Sequence, residues 1–93
     1  MSGLMKSAMG FEVNMDDDFE HRISTILELL ISNSSGVVKC ELKNISEPNR
    51  WIIECLWHDQ QAMHAHFFSC QLQNLIGLLA SRSRKIVFEC GSI

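Results

Sequence analysis

Apolar residues recur along the chain with a period of two in some stretches and of three to four in others. The two periods divide it into strands and helices. Over about residues 5–14, Met9, Phe11 and Val13 fall on one side and Ala8, Gly10 and Glu12 on the other, which predicts a strand. Asn14 to Asp18 form a polar break whose acids suit a helix N-terminus. Phe19, Ile23, Ile26, Leu27 and Leu30 then repeat at helical spacing, predicting an amphipathic helix to about Ile31. Ser32 to Gly36 end it with turn-forming residues.

Gly36 to Ile45 and Arg50 to Trp57 read as a hairpin closed over residues 46–49, where Pro48 cannot donate to a ladder and Asn49 favours a turn. A four-residue loop places Ile45 opposite Arg50. Cys40 then opposes Cys55, Leu42 opposes Ile53 and Val38 opposes Trp57. One face carries Val38, Cys40, Leu42, Trp51, Ile53, Cys55 and Trp57 and is fit to lie under helices. The other mixes Val37, Ile45, Ile52 and Leu56 with Lys39, Glu41, Lys43 and Glu54. Such a face suits a partner sheet with charges paired at its rim, so a homodimer through this sheet face is expected.

Beyond the hairpin, Asp59 is placed to cap a short second helix. Ser69 is placed to cap a third from Cys70 to about Ser81, with Leu72, Leu75, Ile76 and Leu79 as its buried stripe. Arg84 to Cys90 closes the pattern as a strand with Ile86, Phe88 and Cys90 facing one way. The order β-α-β-β-α-α-β predicts an α+β fold, one antiparallel four-stranded sheet with helices on one face.

Composition narrows the function classes. Ninety-three residues, 46% hydrophobic and 20% charged, make one globular domain over 1–93. The net charge of −3 and scattered basic residues exclude general attraction to nucleic acid. No apolar run is long enough for a membrane span, and no uninterrupted apolar stretch follows Lys6 to make a secretory signal. Four cysteines without a C-x-x-C pair then point to reduced thiols in a cytoplasmic protein and away from zinc.

Candidate chemistry concentrates between Trp57 and Ser69. His66 shares a helical face with Ala62 and Met63 and should point toward the sheet, whereas His64 falls on another face. A neutral imidazole there could take a proton from a phenol or enol with a pKa near working pH; the plain alternative is a packed histidine holding helix to strand. Trp57 is expected to wall a cavity and stack on an aromatic ligand, or to be simply a large core residue. Met63, Phe67 and Phe88 could add apolar wall, a position they share with ordinary core. Arg22 could reach a pocket mouth, although a solvated helix residue is its default. His58, His64 and His66 diverge too far for a metal cluster. Cys70, at a predicted helix N-terminus, is the most reactive thiol by position.

The strand ending in Trp57, the helix carrying Ala65-His66, the following Phe67-Phe68-Ser69 and Gly36 before the second strand resemble the antibiotic biosynthesis monooxygenase family. The resemblance spans about residues 9–92 in element order. It implies a ferredoxin-like domain forming a dimeric α+β barrel, and a small cofactor-independent monooxygenase acting on a quinol, phenol or polyketide-like aromatic between sheet and helices. It also implies a substrate role for Asn14, since some members present an Asn amide at the end of the first strand; a turn or cap residue is the default reading of that position. Two departures stand out. Cys55 occupies a position where members often carry Glu, and no histidine lies between Gln71 and Ser81, where haem-degrading relatives bind iron. No glycine loop for flavin or nicotinamide is visible, so no cofactor is expected. An isomerase or other proton-transfer enzyme, and a non-catalytic dimeric ligand-binding module, are the alternative readings.

Overall fold

The computed structural model describes residues 3–45 and 49–92; the tip of the expected hairpin, including Pro48, lies outside the described residues. The elements run β1 (Met5–Glu12), α1 (Asp17–Asn33), β2 (Val37–Asn44), β3 (Arg50–Trp57), α2 (Gln60–Phe67), α3 (Cys70–Arg82) and β4 (Arg84–Ser92). This is the expected order. The four strands make one sheet in the order β2-β3-β1-β4, antiparallel throughout, which is the ferredoxin-like arrangement.

Each helix begins where a side-chain oxygen satisfies a free backbone N–H. Asp16 accepts from Phe19 N at 2.7 Å and starts α1 two residues before the expected Phe19. Asp59 accepts from Ala62 N at 2.8 Å, and Ser69 from Leu72 N at 3.2 Å. The buried face of α1 is Phe19, Ile23, Leu27 and Leu30; that of α3 is Leu72, Leu75 and Leu79. These stripes cover one sheet face made of Met9, Phe11, Ile53, Cys55 and Trp57, and together they form the core.

The hairpin register holds at Cys40 with Cys55 and at Leu42 with Ile53, and Ile45 N donates to Arg50 O at 2.8 Å. It fails at the start of β2. A shift between Val37 and Lys39 sets Val37, not Val38, opposite Trp57. Val37 therefore packs against the core and Val38 turns out to solvent, the reverse of the expected faces. The cause is local: Gly36 lies so close to α2 that a Cβ there would collide with Ala62, and its carbonyl accepts His58 N at 2.9 Å. That anchor fixes the chain entering β2, and the bulge absorbs the extra residue.

A second irregularity separates Gly10 from Glu12 in the β1–β4 ladder. Opposite it, Lys85 adopts φ 52°, a left-handed conformation that L-residues avoid. On the outer sheet face, Glu54 joins Lys6 at 3.0 Å and Lys43 at 2.7 Å, while Glu41 joins Lys39 at 3.2 Å. Among the described residues no helix is long and apolar enough to cross a membrane.

Candidate ligand site between sheet and helices

β1 and β3, the two central strands, bring Ser7, Met9, Ile53 and Cys55 side by side beneath the helices, since Ser7 pairs with Cys55 and Met9 with Ile53. α2 and α3 close over them with His66, Phe67, Leu72 and Leu75. β4 adds Phe88 and Cys90 at the sheet edge. Together these side chains line a largely apolar cavity of about 90 Å³. Glu89 contributes to the same wall, but it pairs with Ala8, whose place in the alternation puts both side chains on the outer sheet face. The polar groups left beneath the helices are the Ser7 hydroxyl, the His66 imidazole and the two thiols.

His66 reaches this position because the α2 cap at Asp59 sets the helical phase. Met63 and His66 fall inward, and His64 is left exposed. The His66 ring is 6% exposed and lies 4.6 Å from the Trp57 ring, tilted by 35°. Its Nδ1 is buried with no hydrogen-bond partner among the described residues. Burial lowers its pKa from 6.5 to about 4, so the imidazole is neutral at physiological pH, well below the near-neutral pKa expected of a poised base. Just beyond it, Ser69 Oγ donates to the His66 carbonyl at 2.7 Å while capping α3, tying the end of α2 to the next helix.

Trp57 is completely buried and is not among the residues lining the cavity. Its indole N–H instead donates to Ser7 Oγ at 3.0 Å, across 50 residues of sequence. Its ring stacks against His66 and thus backs the cavity wall. Ser7, with His66 one of two buried polar side chains among the described residues, had no signal in the sequence.

The other expected residues scatter. Phe67 and Phe88 line the cavity, and Phe88 is 55% exposed at its mouth. Met63 is core, 1% exposed. Asn14 is exposed in a separate polar depression with Glu12, Asn49, Arg82 and Arg84. Arg22 is ion-paired with Asp18 at 3.1 Å, one turn back on α1, and does not line the cavity.

All four cysteines are free thiols. Cys55 is buried against Cys40 on the neighbouring strand; the adjacent thiol and burial push its pKa upward, keeping it protonated and inert. Cys70 and Cys90 are exposed. Among the described residues no group of three or more His, Cys, Asp or Glu side chains could hold a metal ion.

No family model and no curated protein sequence matches the chain. Solved structures do. A candidate antibiotic biosynthesis monooxygenase from Caulobacter crescentus superposes with a TM-score of 0.83 at 14% identity, over 99% of this chain and 91% of that one. A second candidate, from Nitrosomonas europaea, gives 0.82 at 11% identity over 100% and 92%. SnoaB, a cofactor-independent oxygenase from Streptomyces nogalater, gives 0.77 at 12% identity over 99% and 94%. At such identities the likeness is one of fold, and it extends over nearly the full length of each partner. This chain has the ferredoxin-like α+β fold of the antibiotic biosynthesis monooxygenases.

Proposed function

We propose that the protein is a cofactor-independent monooxygenase that oxidises a small one-ring phenol or quinol in the cavity between sheet and helices. The observation that carries this reading is His66: a neutral buried imidazole with an unpartnered Nδ1 in the wall of an apolar cavity. A ligand hydroxyl that bonded it would relieve an unsatisfied group costing about 1–3 kcal/mol. The fold shared with a cofactor-independent oxygenase supports the oxygen chemistry.

Its burial makes His66 a weak base. A phenolate forming beside it would raise its pKa by direct charge attraction, so proton transfer is favoured only once the ligand is in place. The deprotonated, electron-rich ring would then reduce oxygen. For a hydroquinone, one oxygen atom enters the ring and the other leaves as water, giving a hydroxyquinone. The ring's own electrons balance the reaction.

Size selects the substrate. Apolar cavities of about 150 Å³ take up benzene, and this one measures about 90 Å³. A single ring would fit only if the half-exposed Phe88 at the mouth moved aside, and fused polyketide-like rings would need far more space. Oxygen uptake with hydroquinone and methylhydroquinone, corrected for autoxidation, is expected to fall about 100-fold or more in His66→Ala. Equal rates would remove His66 from the reaction. Turnover without oxygen consumption would favour an isomerase, and ligand binding without turnover a binding module; the low pKa of His66 favours the latter as the second reading.

The outer sheet face, where Ile52 and Leu56 alternate with the Lys6–Glu54–Lys43 ion cluster, is proposed to pack against the sheet of a second copy. Light scattering at micromolar concentration should give twice the chain mass of 10.6 kDa. A monomeric mass would rule the dimer out. Four free thiols fit a reducing compartment such as the cytoplasm.

A further inference from the structure

Ser7 occupies an unusual position for a serine. It lies near the start of a central strand, 9% exposed, in the wall of a cavity otherwise built largely from Met, Leu, Ile and Phe side chains. Burying a hydroxyl in such surroundings is costly unless its hydrogen-bonding capacity is used. Part of that capacity is used visibly: the oxygen accepts the Trp57 indole N–H at 3.0 Å. Indole nitrogen is a donor only, so this bond fixes the direction of exchange and leaves the serine its own hydrogen to give. One neighbour placed to receive it is Cys55, the register partner of Ser7 on β3, whose sulfur is a weak acceptor; Cys90, its partner on β4, is another thiol. A ligand oxygen in the cavity would accept it far better. The Trp57 donation polarises the hydroxyl in the same sense and strengthens the bond it can give.

We propose that Ser7 is the residue that holds the substrate oxygen, donating its O–H to a phenol or carbonyl oxygen of an uncharged one-ring ligand. Trp57 is a positioning residue that acts through it. The inference rests on the one-ring reading of the cavity given above, but not on oxygenase chemistry. It assigns the two polar sides of the cavity complementary tasks. Ser7 on β1 supplies a donor, and His66 on α2 supplies a neutral nitrogen that can accept. A ligand hydroxyl has the acceptor and the donor to meet both, a carbonyl oxygen meets Ser7 alone, and an anionic ligand finds no cation among the described lining residues. It also explains why Trp57, the largest fully buried side chain, contributes a polar atom to the site without contacting the cavity.

The test is binding measured by 19F NMR under nitrogen, with 4-fluorophenol and 4-fluorotoluene as probes of matched size that differ in the oxygen. The unsubstituted protein is expected to prefer 4-fluorophenol. Ser7→Ala should reduce that preference about fivefold or more, the value of one neutral hydrogen bond, and leave 4-fluorotoluene unchanged. Ser7→Thr, which keeps the hydroxyl, should retain the preference. Trp57→Phe should weaken it by a smaller factor through the freed hydroxyl. Ser7→Cys, close in volume and only a weak donor, serves if the alanine variant does not fold, and should lose the preference likewise. An unchanged preference in Ser7→Ala or Ser7→Cys overturns the proposal, as does the absence of any preference in the unsubstituted protein. Because no turnover occurs under nitrogen, the outcomes separate. Loss of preference in the variants with no oxygen uptake on any quinol keeps the anchor and removes the oxygenase. Oxygen uptake with an unchanged preference does the opposite.

Discussion

The rings of Trp57 and His66 lie 4.6 Å apart, tilted by 35°, and both residues are buried. The contact holds an imidazole away from water, and the lowered pKa of His66, about 4, follows from that desolvation. Protonating it would place a charge where the fold offers no partner, so the folded protein takes up the proton later than the unfolded chain does.

The sign of the pH dependence follows. His66 titrates near 6.5 unfolded and near 4 folded, so between those values the unfolded state binds more protons and stability rises with pH. The contribution is complete above about pH 6.5 and is lost as pH falls toward 4. Each pKa unit is worth about 1.4 kcal/mol, and partial solvent screening reduces the whole to roughly 2 kcal/mol. Carboxylates also titrate in this window, so the measurement is a difference. Denaturant unfolding from pH 7 to pH 4 should fall about 2 kcal/mol more steeply for the unsubstituted protein than for His66→Gln. Parallel pH profiles would show that His66 is not buried as described.

Gly36 and Ala62 make the second prediction. A Cβ at Gly36 would meet the Ala62 methyl inside van der Waals distance, and α2 carries both Ala62 and His66. Gly36→Ala should therefore destabilise by about 1–3 kcal/mol through overpacking and shift α2. Ala62→Gly in the same chain should recover part of the loss despite its own helix-propensity cost of about 1 kcal/mol. Chemical denaturation of the two single variants and the double variant checks this, and additive losses would show that the two positions do not touch.

The element order was legible because local signals agreed with tertiary ones. Asp59 and Ser69 are caps by residue type and caps in the structure, and the stripe Leu72, Leu75 and Leu79 is the buried face of α3. The register at Cys40 and Leu42 followed from closing the loop between Ile45 and Arg50. Val38 escaped because a bulge leaves no trace in alternation: Val37 and Val38 are identical, and only the contact of Gly36 with α2 decides which faces in. Within the site, helical phase placed His66 inward and His64 outward. Ser7 was invisible because its partner is 50 residues away and a lone serine in an alternating strand carries no pattern. Cavity size could not be read at all, since it depends on how Leu30, Leu72 and Leu75 from two helices meet Phe88 from the edge strand.

Lys85 sits at φ 52° opposite the irregular stretch of β1 between Gly10 and Glu12. An L-residue in this region costs about 1 kcal/mol or more, and glycine costs nothing sterically. The ion pair with Glu12, at 3.7 Å and on a side chain 76% exposed, offsets little of that. Lys85→Gly is expected to stabilise the protein by about 0.5–1 kcal/mol after the glycine entropy cost, read as a rise in denaturation midpoint at unchanged slope. A loss of stability would show that the bulge does not require the left-handed conformation.

The four thiols make the last prediction, because their surroundings differ so sharply. Cys70 opens α3 and Cys90 lies on the edge strand, both exposed. Cys55 is buried, and the Cys40 thiol beside it raises its pKa further. Thiolate is the species that alkylates, so reactivity should follow exposure and ease of ionisation together. Brief iodoacetamide treatment of the folded protein, followed by intact mass, should add two carbamidomethyl groups, with peptide mapping placing them on Cys70 and Cys90. Cys40, half-buried, should follow slowly, and Cys55 should react only after unfolding. Denaturation without reductant should then expose all four, which requires that Cys40 and Cys55 remain unlinked although they face each other across the ladder. A mass two hydrogens lighter, with neither residue alkylated after denaturation, would mean instead that the strand pair carries a disulfide.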